Sequence, residues 1–237
     1  MEKPQLIKDG KRLDGRDFDT LRPLKITAGV IKNATGSAYL EWGNNKVLAA
    51  VYGPKEVFPK HLANPERAIV NCRYAMAPFS SLEEHGRAGP HRRATEISKV
   101  TKEVFENIIM LDQFPNTEID IFIEILQSDG GTRAAGITAA SVALANSGIP
   151  IRDMPFAVAG GKINDQLVID FNKIEDNYSD ADVPVAISPN LGRILLLQMD
   201  GCLTKDEFSR LMDMVEKAGS KIRNAQREAL LGLYSQK

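Results

Sequence analysis

The segment Glu118–Gly148, EIDIFIEILQSDGGTRAAGITAASVALANSG, changes its period once, and that change decides the fold class. Ile119, Ile121, Ile123 and Ile125 recur every second residue, the repeat of a strand with one buried face. From Thr132 to Ser147 the chain is rich in alanine and stops at Gly148, which predicts a helix slim enough to lie close against a sheet. Between them stands Gln127-Ser128-Asp129-Gly130-Gly131-Thr132-Arg133, a strand-to-helix turn with two adjacent glycines.

Upstream, Leu24 to Val30, Gly36 to Trp42 and Lys46 to Tyr52 read as three strands broken by turn residues, an antiparallel meander. Ala68 to Ala77 is a further strand, stopped by Pro78. Residues 80–93 carry no period and predict a long loop. Ile97, Val100, Val104, Ile108 and Leu111 then fall on one helical face. Downstream, Ala157 to Lys162, Gln166 to Phe171, Val183 to Ser188 and Ile194 to Met199 read as strands. Phe208, Leu211, Met212, Val215, Ile222 and Ala225 mark a long amphipathic helix. Strands come in runs and helices follow them, so the expected class is α+β. The expectation is one domain over residues 1–237, with 1–22 as an extended arm.

The chain has 237 residues, 43% of them hydrophobic and 26% charged, which excludes wholesale disorder and collagen-like or coiled-coil structure. No apolar run reaches the roughly 20 residues of a membrane span, and Met1-Glu2-Lys3-Pro4-Gln5 does not resemble a signal peptide, so no membrane contact and a cytoplasmic location are expected. Cys72 and Cys202 sit in apolar surroundings and read as reduced core thiols. Thirty Lys and Arg against 31 Asp and Glu give a net charge of −1, without the basic excess usual in a free-standing nucleic-acid binder.

Three segments bear on chemistry. In the Gly130-Gly131 turn, backbone N–H groups approach a ligand closely, a helix start adds unpaired donors, and Thr132 and Arg133 supply a hydroxyl and a planar fork. Together they suit a small tetrahedral anion. The motif is neither a P-loop nor a dinucleotide fingerprint, and its plainer reading is a turn capped by Asp129. In Glu175-Asp176-Asn177-Tyr178-Ser179-Asp180-Ala181-Asp182, four carboxylates crowd into eight residues between two strands. Such a cluster suits Mg²⁺ or a carboxylic acid that donates a proton; its plainer reading is a solvated acidic turn. Asp176 and Asp182 lie nearest the strand ends. In the long loop, His85, Arg87, His91, Arg92 and Arg93 give local positive potential that fits nucleic acid, a phosphorylated ligand, a subunit interface or plain solvation. No zinc spacing and no Ser-His-Asp set are present.

Taken in order, Asp14-Gly15-Arg16, Tyr74–Ser80 (YAMAPFS), His91-Arg92-Arg93, Ser128–Arg133 and Glu175-Asp176 with Ala181-Asp182 resemble the RNase PH family, over about Asp9 to Leu231. Finer features, among them Gly53-Pro54-Lys55-Glu56-Val57, Ser98-Lys99-Val100 and Asp180–Pro184, are similar to the catalytic branch of that family found in the archaeal exosome.

The resemblance implies an α+β RNase PH-like fold, also described as ribosomal protein S5 domain 2-like, with mixed sheets packed against helices. It implies an enzyme that shortens single-stranded RNA from its 3′ end, with inorganic phosphate as co-substrate and nucleoside diphosphates as products, and that runs in reverse to add tails. It also implies a hexameric ring, a trimer of heterodimers with an inactive RNase PH-like paralogue, bearing RNA-binding cap subunits. Arginines gathered around such a ring answer the absence of a basic excess. By the resemblance, Gly130, Gly131, Thr132 and Arg133 form the phosphate site, Arg92 and Arg93 contact RNA, and Asp176 and Asp182 are catalytic, with Mg²⁺ on the same two aspartates. Whether they serve as acid or metal ligands stays open on sequence grounds. Where some longer relatives carry a lysine two residues beyond the second aspartate, this chain has Pro184. A free-standing RNase PH trimming tRNA ends and a non-catalytic RNA-binding ring subunit are the alternatives. Inactive paralogues typically lose the phosphate-site arginine or the second aspartate, and this chain keeps both.

Overall fold

A computed structural model describes residues 5–8, 10–81 and 92–235. Its elements are β1 (Ile7–Lys8), β2 (Lys11–Arg12), β3 (Leu24–Ala28), β4 (Gly36–Trp42), β5 (Asn45–Glu56), β6 (Ile69–Met76), α1 (Arg92–Glu106), β7 (Thr117–Gln127), α2 (Thr132–Asn146), β8 (Phe156–Ile163), β9 (Gln166–Ile169), α3 (Lys173–Tyr178), β10 (Ala181–Ser188), β11 (Arg193–Leu197), β12 (Asp200–Gly201) and α4 (Lys205–Tyr234).

Two five-stranded sheets carry the molecule. The first has the order β3-β4-β5-β7-β6. The expected meander is there, with Leu24 opposite Trp42 and Gly36 opposite Val51. β7 then pairs antiparallel with β5 and parallel with β6, the crossover between the parallel pair running through α1. Ile119, Ile121, Ile123 and Ile125 are all buried on one face of β7. Truncating one such isoleucine to alanine costs roughly 2–5 kcal/mol. The second sheet has the order β11-β10-β8-β9, with the short β12 paired to the start of β10.

Helix α2 lies between the sheets and touches both. It is buried almost all round, from Ala134 to Leu144, and its small side chains are what the narrow gap admits. At its far end β4 passes so close that a Cβ on Gly36 would sit 2.2 Å from the Ala143 carbonyl oxygen. α4 begins with a Thr204–Glu207 capping box and packs on β3, β8 and β9. One hydrophobic cluster runs from Ile26 in β3 through α2 to Ile222 in α4.

Four expectations are corrected. Among the described residues of the expected extended arm over 1–22, β1 and β2 form a short antiparallel pair, and Leu6 and Arg12 are buried. The reason is local: Leu6 packs with Ala159, Ile163, Val168 and Phe171, and the Arg12 guanidinium meets Glu175. The acidic run is not one turn, because Asn172 and Glu175 form a capping box that starts α3, and Asp182 lies inside β10. α1 begins at Arg92, within the expected loop, and ends at Glu106, after which Ile108 is buried from a turn and Leu111 from a short 3-10 helix, Leu111–Gln113. Cys202 is exposed, whereas Cys72 is half-buried on β6, where desolvation pushes its thiol up to about 12. His85, Arg87 and His91 lie outside the described residues.

Candidate active site

The head of α2 is where the structure gathers the residues singled out from sequence. Gly130 and Gly131 both adopt left-handed backbone, with φ of 70° and 66°. A Cβ on Gly130 would lie 2.6 Å from the Asn172 carbonyl carbon, so this position admits only glycine without displacing backbone. Gly131 occupies the cap position of α2 and brings no side chain to its amides. Asp129 is not the cap: its Oδ1 accepts from the Lys173 N–H (3.1 Å) and its Oδ2 from the Asn44 amide (3.0 Å), tying the turn to α3 and to the β4–β5 turn. The helix therefore starts with open donors and positive dipole, the arrangement that favours an anion.

Thr132 is buried and its Oγ1 accepts from the Tyr74 hydroxyl at 2.8 Å, which leaves the threonine proton to donate elsewhere. Tyr74 is thus part of the core, with its phenol pushed up mainly by burial, whereas Phe79 is exposed. Arg133 Nη2 lies 3.0 Å from Glu96 Oε2 on α1, and Gln198 donates to Glu96 Oε1 at 2.8 Å. The Arg133 Nε is buried with no hydrogen-bond partner, and so is the Oε1 of Gln198.

The two aspartates arrive from different elements, Asp176 from α3 and Asp182 from β10, where it stands opposite Asp200 of β12. Burial raises the Asp176 carboxyl against the pull of Arg93, Arg133 and Arg22. Asp182 is pushed up to about 6, first by burial, then by the Asp176 charge and by Asp200, with Arg133 and Arg93 acting the other way. One oxygen of Asp182 is buried without a hydrogen-bond donor. The candidates thus share one electrostatic environment: two carboxylates, of which Asp182 is reluctant to ionise, facing two guanidinium groups. Arg92 and Arg93 are exposed at the start of α1, and Arg93 is near enough to be felt by both aspartates.

Glu175 separates from this pair. Glu175 is buried in the ion pair with Arg12, so only part of the acidic run faces the site. Among the described residues no group of three or more His, Cys, Asp and Glu is arranged to hold a metal. Two carboxylates do suit Mg²⁺, which keeps several waters and completes its shell with substrate phosphates, and the donor-less oxygen of Asp182 fits that demand.

Sequence reading missed Glu96, Gln198, Arg22 and Asn45. Arg22 and Asn45 hold the glycine turn through its carbonyl oxygens. No local pattern marks any of the four, since each works on a partner at least 37 positions away. The Asn172–Glu175 spacing that starts α3 was the one readable signal.

Residues 20–150 match the 3′ exoribonuclease family, domain 1, and residues 153–218 match domain 2 of the same family. The chain belongs to the RNase PH family of 3′ exoribonucleases. Its relatives include the exosome complex component Rrp41 of Pyrococcus abyssi, 56% identical over 238 aligned residues, covering 99% of this chain and 95% of the relative. The exosome complex component Rrp41 of Thermoplasma acidophilum is 54% identical over 226, covering 95% and 91%. Among solved structures, rice (Oryza sativa) Rrp46 superposes with a TM-score of 0.83 at 26% identity, over 93% of this chain and all of that one. A chain of the Archaeoglobus fulgidus exosome with RNA bound to the active site shares the fold, with a TM-score of 0.79 at 24% identity, over 91% and 92%.

Proposed function

We propose that this chain is the catalytic RNase PH-like subunit of an exosome of the archaeal type. It degrades single-stranded RNA from the 3′ end by phosphorolysis, releases nucleoside diphosphates, and adds tails in reverse. The observation that carries the reading is the group at the head of α2: an arginine with a buried, unpartnered Nε beside an aspartate with a buried, unpartnered oxygen and a raised pKa. The similarity to Rrp41 chains supports the placement in an exosome.

Inorganic phosphate binds against the first amides of α2, the Thr132 hydroxyl and Arg133 Nε, with Gly130 and Gly131 leaving room for it. Arg92 and Arg93 grip backbone phosphates near the RNA 3′ end. A phosphate oxygen attacks the terminal phosphorus in line, and the bond to the neighbouring 3′ oxygen breaks. Two anions must meet, so the guanidinium groups offset both their approach and the charge that develops. Asp182, protonated more readily than an ordinary carboxylate, supplies the proton that turns the leaving oxygen into a 3′ hydroxyl. Asp176 keeps that proton on Asp182 by adding negative charge beside it. Were Mg²⁺ bound, carboxylate oxygens of Asp176 and Asp182 would hold it, and it would supply neutralisation of phosphate charge in place of the proton on Asp182. The subunit sits in a hexameric ring with an inactive paralogue and cap subunits, in the cytoplasm.

The experiment is to feed 5′-labelled single-stranded RNA to the assembled protein with and without phosphate. Phosphate-dependent shortening with diphosphate products is expected. Equal digestion without phosphate, giving monophosphates, overturns the reading.

A further inference from the structure

Asp170 carries a denser set of donors than its surroundings need. It is buried, in left-handed backbone with φ of 62°, just after β9. Its carboxylate accepts from the Arg22 backbone N–H (2.6 Å), from Arg22 Nη2 (2.6 Å) and Nε (3.0 Å), from the Trp42 indole (3.0 Å) and from Arg16 Nη1 (3.3 Å). Arg22 is itself buried, and the β4–β5 turn closes over its stem: a Cβ on Gly43 would lie 2.5 Å from Arg22 Cδ. Burying such a pair brings little net stability, because desolvation offsets the attraction. What it supplies is direction.

That direction leads to the glycine turn. Arg22 Nη1 donates to the Asp129 carbonyl oxygen and Nη2 to the Gly130 carbonyl oxygen at 3.3 Å. Asn45, fully buried at the start of β5, donates to the same Gly130 oxygen at 2.7 Å and accepts from the Asp129 N–H at 2.6 Å. In a planar trans peptide the C=O and N–H point to opposite sides. Holding the Asp129 and Gly130 oxygens toward Arg22 and Asn45 therefore sends the Gly130 and Gly131 N–H groups the other way. Glycine populates either sign of φ with similar ease, so peptides flanking Gly130 and Gly131 turn over readily unless something grips them. A turned peptide would present an oxygen, and an oxygen repels an anion.

We propose that Arg22, aimed by Asp170 and assisted by Asn45, is a positioning residue that sets phosphate affinity by locking the Asp129–Gly131 peptides with their oxygens away from the anion. This rests on the phosphate site proposed above.

The test is steady-state phosphorolysis by the full chain in its native assembly, with phosphate and RNA varied separately. Arg22→Lys keeps the charge but has no fork to span two carbonyls and Asp170. Its KM for phosphate rises tenfold or more, while KM for RNA stays within twofold. Asn45→Ser, which withdraws the amide donor from Gly130, shifts the same constant and serves if Arg22→Lys does not fold. Ser188→Ala removes a 2.6 Å buried hydrogen bond to Asp153 at the opposite end of β10 and reports what general destabilisation does to both constants. A phosphate KM within twofold of wild type in the folded variants, while Arg133→Ala has lost phosphate dependence, overturns the lock and leaves the site standing. Both constants rising together, as in a destabilised control, also overturns it. If Arg133→Ala keeps its phosphate dependence, the site assignment falls and the lock with it.

Discussion

Arg133 spans from α2 to Glu96 on α1, Nη2 to Oε2 at 3.0 Å, and keeps its Nε buried without an acceptor. The guanidinium is thus anchored at one corner and open at another. Glu96 fixes where the fork points and also cancels part of its charge.

Replacing the arginine separates chemistry from RNA capture. Arg133→Ala is expected to abolish phosphorolysis while RNA affinity, measured by filter binding, stays within about threefold. Activity within threefold of wild type at saturating phosphate would remove Arg133 from the site.

Glu96→Gln keeps the acceptor that orients Arg133 and removes the competing charge. A partly exposed ion pair of this kind is worth about 0.2–1 kcal/mol. KM for phosphate is therefore expected to fall by about 1.4- to fivefold, whereas Glu96→Ala, which also loses the anchor, raises it. A rise with both variants would mean that Glu96 serves only as an anchor.

Asp182 links function to stability with opposite signs. Its carboxyl is raised to about 6, so the folded state prefers the protonated form. The resulting penalty is absent well below the unfolded value of about 3.9, grows as pH rises, and is complete above 6. Asp182→Asn is expected to stabilise the protein by roughly 1–3 kcal/mol at pH 7–8, raising Tm by several degrees, and to gain nothing near pH 4. The same substitution is expected to lower the turnover rate by at least about a hundredfold. If Asp182 donates the proton, kcat/KM is expected to fall as pH rises through about 6. A rate that instead rises through that pH would assign it to holding a metal.

Arg92 and Arg93 are exposed at the start of α1, so their contribution to RNA binding is screened by salt. Changing both to alanine is expected to weaken binding and to flatten the log–log salt dependence by about 0.7 for each RNA phosphate that the variant no longer neutralises. An unchanged slope would place the RNA elsewhere.

The sheets were legible wherever one face is buried and the other wet. β4 was expected over Gly36–Trp42 and forms over those residues, because its alternation and the glycine-containing turn after it act locally. α2 was legible from small residues and a glycine stop. The parallel pairing of β6 with β7 was not, since register across a crossover helix leaves no local mark. α3 escaped because six residues hold too little period, and its start is set by the hydrogen bonds between Asn172 and Glu175. The acidic run looked like one cluster only because a linear reading cannot show that Glu175 turns to Arg12, 163 positions away. At the site, Arg133, Asp176 and Asp182 were nominated by residue type. Arg22 and Asn45 were invisible because they act on carbonyl oxygens, which every residue carries.

The bond between Arg12 and Glu175 has a consequence for when the molecule becomes competent. The helix bearing Asp176 is moored to a hairpin made long before it during translation. A half-made or proteolytically clipped copy lacking either side of that mooring would have Asp176 unplaced, and Asp182 would lose the neighbouring charge that holds its proton.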